Sequence, residues 1–315
     1  MRNYVIRRLL AFPLILFAIS VITFSLVRLL PGDAAVARLG ATGAQCDECF
    51  EQVRRELGLD KSNIEQYWMW ASSAIRGDFG LSTSTRQPVS PELRSRFMNT
   101  FRLGVFTIVL TVVIGVPLGV VAGVKHGTVT DYVARCIRSW GLSVRCCWIA
   151  RLVRFMPLSW WGWTPLRDFV SFRQDPVDHM RLLFLPALVL AIAGAAYVAR
   201  ITRSSMLETL TSDHVRTARA KGLHERVVVT RHVFRNSMLT LLTVIGLQFG
   251  IVLGGSVIIE SIFTLPGMGA WLVMAVNNRD YQIVQAVAVV FAFWFLTITL
   301  ITDILYAWVD PRIRY

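Results

Sequence analysis

RSWGLSVRCCWIARLVRFMPLSWWGWTP, residues Arg138–Pro165, is where the topology of this chain turns. The segment has the tryptophans and aliphatic side chains of a bilayer-crossing helix, yet it carries Arg145, Arg151 and Arg154 beside Cys146 and Cys147. On an insertion scale a central arginine costs about 2.5–3.5 kcal/mol, while a leucine or phenylalanine returns only about 0.3–0.6 kcal/mol. By hydropathy alone it is a poor crossing, and only its neighbours argue for it.

Those neighbours are five runs of the length needed to cross about 30 Å of hydrocarbon: Leu9–Leu30, Leu103–Val124, Leu182–Ala199, Leu239–Phe263 and Ile283–Val309. Arg2, Arg7 and Arg8 precede the first, which is longer than a signal-peptide core and reads as an uncleaved anchor despite the small residues Ala35-Val36-Ala37 beyond it. Between Ala199 and Leu239, Arg200, Arg203, Arg216, Arg219, Lys221, Arg226, Arg231 and Arg235 face only Glu208, Asp213 and Glu225. The positive-inside rule places both basic segments in the cytoplasm. The first two crossings return the chain inside at Lys125, so Arg200 can be inside only if the chain crosses once more between them. Parity therefore makes Arg138–Pro165 the third of six spans, all α-helical. Residues 1–8 and 310–315 are cytoplasmic ends, 9–30 is the first span, 31–100 a small extracytoplasmic cap and 101–309 the core, whose cytoplasmic loop is 200–238.

Composition agrees with a membrane class. The 315 residues are 54% hydrophobic and only 17% charged, with a mean hydropathy of +0.53, too apolar for an ordinary soluble domain. A net charge of +13 would suit nucleic acid, but the bases lie between apolar runs and not along one polar face, which suits loops facing anionic lipid. Five cysteines, Cys46, Cys49, Cys136, Cys146 and Cys147, do not make a disulfide framework; Cys46 and Cys49 could pair if exported. Within the cap, the pattern suggests helices around Glu48–Leu57 and near Tyr67–Ile75, the second amphipathic.

Two helices carry glycine every fourth residue: Gly115, Gly119 and Gly123 on one, Gly246, Gly250 and Gly254 on the other. Such stripes let neighbouring backbones approach, within the chain or between subunits. Pro117 should kink the first. Glu260 and Asp303 fall toward the ends of their runs, where interfacial solvation is the simpler reading, and Gln248 lies nearer a helix centre.

The most specific signal is His214-Val215-Arg216-Thr217-Ala218-Arg219-Ala220-Lys221-Gly222-Leu223, followed by Arg231-His232 and Arg235-Asn236-Ser237. Alanines favour a short helix, Gly222 can end it in a left-handed conformation, and the bases keep it at the surface. This segment resembles the EAA loop of importer permeases. The ordered set Leu30-Pro31-Gly32-Asp33, Leu57-Gly58-Leu59-Asp60, Gly77-Asp78-Phe79-Gly80, Leu185-Pro186-Ala187-Leu188, Leu253-Gly254-Gly255-Ser256, Glu260-Ser261-Ile262-Phe263, Pro266-Gly267-Met268-Gly269, Asn278-Arg279-Asp280-Tyr281 and Asp310-Pro311-Arg312-Ile313-Arg314-Tyr315 extends the resemblance. It is to the dipeptide and oligopeptide permeases, more closely the first-permease type of a bacterial ATP-binding-cassette (ABC) importer. The resemblance implies a type I importer fold and Arg216 to Leu223 as the element coupled to an ATPase. It also implies a second permease, two cytoplasmic ATP-binding subunits and an extracytoplasmic solute-binding protein as partners.

The resemblance lapses after Gly141-Leu142-Ser143-Val144 and resumes around Gly162–Pro165. A block of Arg, Cys and Trp bounded by ordinary sequence looks like a local reading-frame change, so an impaired copy is one alternative. A secondary transporter is another, though no inverted repeat is evident. The chain lacks a Gly-x-x-x-x-Gly-Lys-Ser/Thr phosphate loop, a His-Glu-x-x-His pair and a Gly-x-Ser-x-Gly elbow, so no catalytic residue, metal or cofactor is expected. His126, His179, His214, His224 and His232 are scattered, most of them read as surface residues. Peptides, glutathione and nickel chelates all fit the resemblance as cargo.

Overall fold

The computed structural model describes residues 2–29, 61–128, 132, 144–161, 169–170, 172 and 174–309. The Cys46–Cys49 pairing, the Glu48–Leu57 helix, both ends of the third span and the tail after residue 309 lie outside them. The described elements are helical: α1 (Arg2–Leu29), α2 (Asn63–Ile75), α3 (Val89–Val124), α4 (Cys146–Trp161), α5 (Pro176–Leu210), α6 (Asp213–Ala220), the short α7 (Glu225–Val227), a π-helical turn Val228–Phe234, α8 (Arg235–Phe263), α9 (Met268–Asn277) and α10 (Tyr281–Val309). Among the described residues, five helices are long and apolar enough to cross a membrane, lying in α1, α3, α5, the α7–α8 run and α10.

The helices outrun the apolar stretches that announce them. α3 begins at Val89 and α5 at Pro176, several residues before Leu103 and Leu182. Asp175 explains the second start: its carboxylate accepts from the N–H groups of Val177 and Asp178, and Pro176 occupies the first helical position. α5 also continues past Arg200 to Leu210, so the loop expected over 200–238 is largely helical and only 211–212 and 221–224 lie between its helices.

The chain divides into two compact units. One comprises residues 3–100 and 266–297. Its core is Val89, Leu93, Met268, Trp271, Ala275, Ile283, Ala286 and Val287. A buried carboxylate ties its loops: Asp280 Oδ2 accepts from Ser82 Oγ at 2.5 Å, Ser84 Oγ at 2.8 Å and the Ser84 N–H at 3.1 Å. Its other oxygen accepts from the Ile283 N–H in the first turn of α10. The Met268 N–H at the start of α9 donates to Thr100 Oγ1.

The other unit holds residues 101–265 and the end of α10. Here α3 and α5 run in the same direction. A Cβ on Gly115 would lie 2.8 Å from the Ala195 carbonyl, one on Gly119 would meet Ala199 O and Thr202, and one on Gly123 would meet Met206 Cβ at 2.9 Å. Both numbers rise together, so the helices are parallel. α8 is antiparallel to α5: Gly255 meets Leu190, Gly194 meets Gln248, and Ser237 Oγ meets Thr209 Oγ1 at 3.3 Å. Two parallel crossing helices require one intervening return, and α4 lies between them in sequence.

α4 is 16 residues long, about 24 Å of rise. Ala150 is fully buried with Leu183, Ala187, Ile259 and Phe263, and Cys146, Ile149 and Val153 flank it. Two of the three arginines have a defined neighbourhood. Arg151 and Arg154 line an open groove with Phe155, Ser261 and Ile262, and Ser261 and Ile262 belong to the last turn of α8. That places the charges beside a helix end, where long side chains can reach water.

Two polar readings are corrected by burial. Glu260 is 1% exposed, so interfacial solvation does not account for it. His179 is not a surface residue: it is fully buried in the first turn of α5, its Nδ1 2.8 Å from the Val170 carbonyl and its ring edge-on to Phe169 and Phe172.

Candidate coupling site

Arg216 to Leu223 form the second half of α6 and the turn that ends it. Ser212 precedes the helix, and Asp213 places a carboxylate at its positive end. The end is a two-bond cap. The Gly222 N–H donates to Arg219 O at 2.9 Å and the Leu223 N–H reaches back to Ala218 O at 3.4 Å. This pair of bonds requires the residue between them to be left-handed, and Gly222 has φ +76°. Space is not the reason for glycine, since nothing lies within 4 Å of where its Cβ would be.

The helix is held by one face. Val215 is fully buried and Ala218 5% exposed. They pack with Met206 near the end of α5 and with Val228 and Val233 of the π-helical turn. Residues three apart on a helix share a face, so the remaining residues of the segment turn outward: Arg216, Thr217, Arg219, Ala220, Lys221, Gly222 and Leu223 are all exposed. The sequence motif thus resolves into an anchor, Val215 and Ala218, and a presented surface. Val215 was not singled out from sequence, although its spacing from Ala218 could have signalled it.

An ion pair that sequence reasoning missed closes the turn. Arg219 grips Glu225 with both branches, Nη2 to Oε1 at 2.7 Å and Nε to Oε2 at 3.1 Å. These hydrogen bonds push the Glu225 carboxylate below its ordinary value and raise Arg219 above its own. Beyond it, His224 Nδ1 accepts from the Arg226 N–H at 3.3 Å and caps α7. The result is a small, basic, pre-shaped protrusion that offers Leu223 and Ala220 amid cations.

The glycines divide. Gly115, Gly119 and Gly123 lie against α5, and Gly246 against Thr302 of α10. Gly250 is half-buried, whereas Gly254 is exposed and faces open space. The second stripe therefore does not form one continuous groove within the chain.

Comparison with known proteins bears on this arrangement directly. Residues 115–315 match the model of the binding-protein-dependent transport system inner membrane component, and residues 1–104 that of its N-terminal region. The chain is 41% identical over 316 aligned positions to the glutathione transport system permease protein GsiC of Escherichia coli K12, and 40% identical to that of Shigella boydii serotype 4, each covering the whole of both chains. In fold it is similar to a chain of the inward-facing MetNI methionine ABC transporter, with a TM-score of 0.56 at 15% identity over 69% of this chain and 96% of that one. An amino acid ABC transporter gives 0.52 at 16% identity, over 71% and 94%. The chain belongs to the binding-protein-dependent transport system inner membrane component family, within the peptide and oligopeptide permeases, with the type I ABC importer fold.

Proposed function

We propose that this permease subunit moves small peptides, with glutathione the leading candidate, inward across the bacterial inner membrane, and that the α6 protrusion couples it to a cytoplasmic ATPase. In this reading the chain pairs with a second permease, stands on two ATP-binding subunits and receives cargo from an extracytoplasmic binding protein. Six crossings leave both termini in the cytoplasm. ATP-driven closure of the partners moves α6, and because Val215 and Ala218 tie it to α5 and the π-helical turn, the motion passes into two core helices at once.

The observation that carries the coupling assignment is the left-handed, exposed Gly222 at the tip of a helix anchored on only one face. The relatives of matching length named for glutathione transport support the cargo. The test is Gly222→Asp in the reconstituted complex. The variant should insert and assemble, lose at least about tenfold in uptake, equivalent to about 1.4 kcal/mol, and retain ATP hydrolysis. Wild-type uptake of radiolabelled glutathione by this variant would overturn the coupling role. Failure of the wild-type complex to take up glutathione while it takes up a dipeptide would reassign the cargo alone.

A further inference from the structure

α2 lies in the segment between the first two crossings, and its exposed surface is divided. At 3.6 residues per turn, Ile64, Trp68 and Ile75 fall within about 40° of arc. They are 72%, 61% and 87% exposed. Glu65 and Ser72 form a separate polar strip beside them, where Lys61 sits 3.8 Å from Glu65. The third face is buried and turned to α1. The Tyr67 and Ser20 hydroxyls share a 2.7 Å hydrogen bond, and Ser20 in turn donates to Phe17 O. Phe24 packs edge-on to the Tyr67 ring at 5.3 Å, with Trp70 6.1 Å from Phe24.

The level of this contact along α1 decides the matter. Ser20 and Phe24 lie about 18 and 24 Å beyond Arg8 along the helix, against a hydrocarbon core of about 30 Å. α2 therefore docks on α1 within the outer half of the bilayer, or at its boundary, and not above it. Leu14 and Ile22 of α1 are 69% and 55% exposed, as residues facing acyl chains are. The apolar strip of α2 continues that surface.

We propose that α2 is an outer-leaflet interfacial helix whose occupant is lipid: Ile64, Trp68 and Ile75 insert at the acyl–headgroup boundary while Glu65 and Ser72 face water. Amphipathic helices with tryptophan at this depth bind the interface through their buried apolar area, and indole rings favour that level. The helix fixes the first crossing at its outer end, through Tyr67, to a floating anchor in the membrane plane. The proposal rests on α1 crossing the bilayer.

Single nitroxide labels at positions 64, 68, 75 and 65 of α2, and at 14 and 22 of α1 as references, in the full chain reconstituted in phosphatidylethanolamine–phosphatidylglycerol vesicles, test it by power saturation. Labels at 64, 68 and 75 should be more accessible to oxygen than to a water-soluble nickel chelate, as should 14 and 22, and the label at 65 should show the reverse. If 64, 68 and 75 favour the nickel chelate while 14 and 22 favour oxygen, the helix stands clear of lipid and the proposal fails. Protection of 64, 68 and 75 only on adding the solute-binding protein would fail it equally, assigning the strip to that protein. Nickel accessibility at 14 and 22 would remove the underlying crossing itself.

Discussion

At Gly222 the chain needs a backbone conformation and not a gap. An L-residue forced into the left-handed region costs roughly 1–2 kcal/mol, with asparagine and aspartate penalised least. Gly222→Asn should therefore keep the turn nearly intact and transport near normal, while Gly222→Asp, of almost the same shape, should fail through its charge at a contact built from bases. Comparing uptake by the two variants separates charge from strain. Arg219 and Glu225 invite a different measurement. Both side chains are about half exposed, so a double-mutant cycle of Arg219→Ala and Glu225→Gln should give only about 0.2–1 kcal/mol. The folded carboxylate lies below its ordinary value of 4.5, so its contribution is complete above that value and is lost as pH falls through the lower one. The protection factors of the amides across residues 213–224, taken relative to the intrinsic exchange rate at each pH, should be constant near neutral pH and fall in acid as Glu225 is protonated; a fall on raising the pH instead would contradict the assignment.

Helix contacts make sharper claims than side-chain pairs because backbone cannot yield. A methyl group on Gly119 would strike Thr202 and the Ala199 carbonyl, so Gly119→Ala should cost about 1–3 kcal/mol in overpacking, read as a lowered unfolding midpoint in detergent. Gly254→Ala, in open space, should leave that midpoint unchanged in the isolated chain. From the sequence the two glycines look equivalent, each in a four-residue stripe; what distinguishes them is the neighbour, which periodicity does not report. Helix ends were illegible for a related reason. Apolar runs mark depth in lipid, whereas the starts of α3 and α5 are set by hydrogen bonding, as Asp175 shows. The helix end at Gly222 was legible because its alanines and glycine act locally. Its anchor was not, because Val215 is buried by Met206, Val228 and Val233, which lie up to eighteen residues away.

For the whole molecule, the third crossing was read from parity when composition argued against it, and the parallel course of α3 and α5 makes the same demand from geometry. The sequence could not show that two of the arginines pack beside the end of α8. From that place beside Ser261 and Ile262 the expectation is a cost well below the central penalty of about 2.5–3.5 kcal/mol each. Replacing Arg151 and Arg154 by leucine should accordingly raise the membrane-inserted fraction only modestly in a glycosylation-mapping assay; a shift from largely excluded to largely inserted would mean that both charges sit deep, and would revive the reading of an impaired copy. A cysteine at Lys221 should react with permeant but not impermeant maleimide in intact cells.

The buried acid at the head of α10 and the exposed Arg219–Glu225 fork answer differently to salt. What grips Asp280 are hydroxyls and backbone N–H groups, dipoles shielded from bulk electrolyte. The Arg219–Glu225 fork stands in water, where about 1 M salt shortens the reach of a charge to about 3 Å. Raising ionic strength should loosen the turn after α6 and leave the serine–aspartate knot as it was, so potassium chloride becomes a reagent that addresses one of the two carboxylates alone.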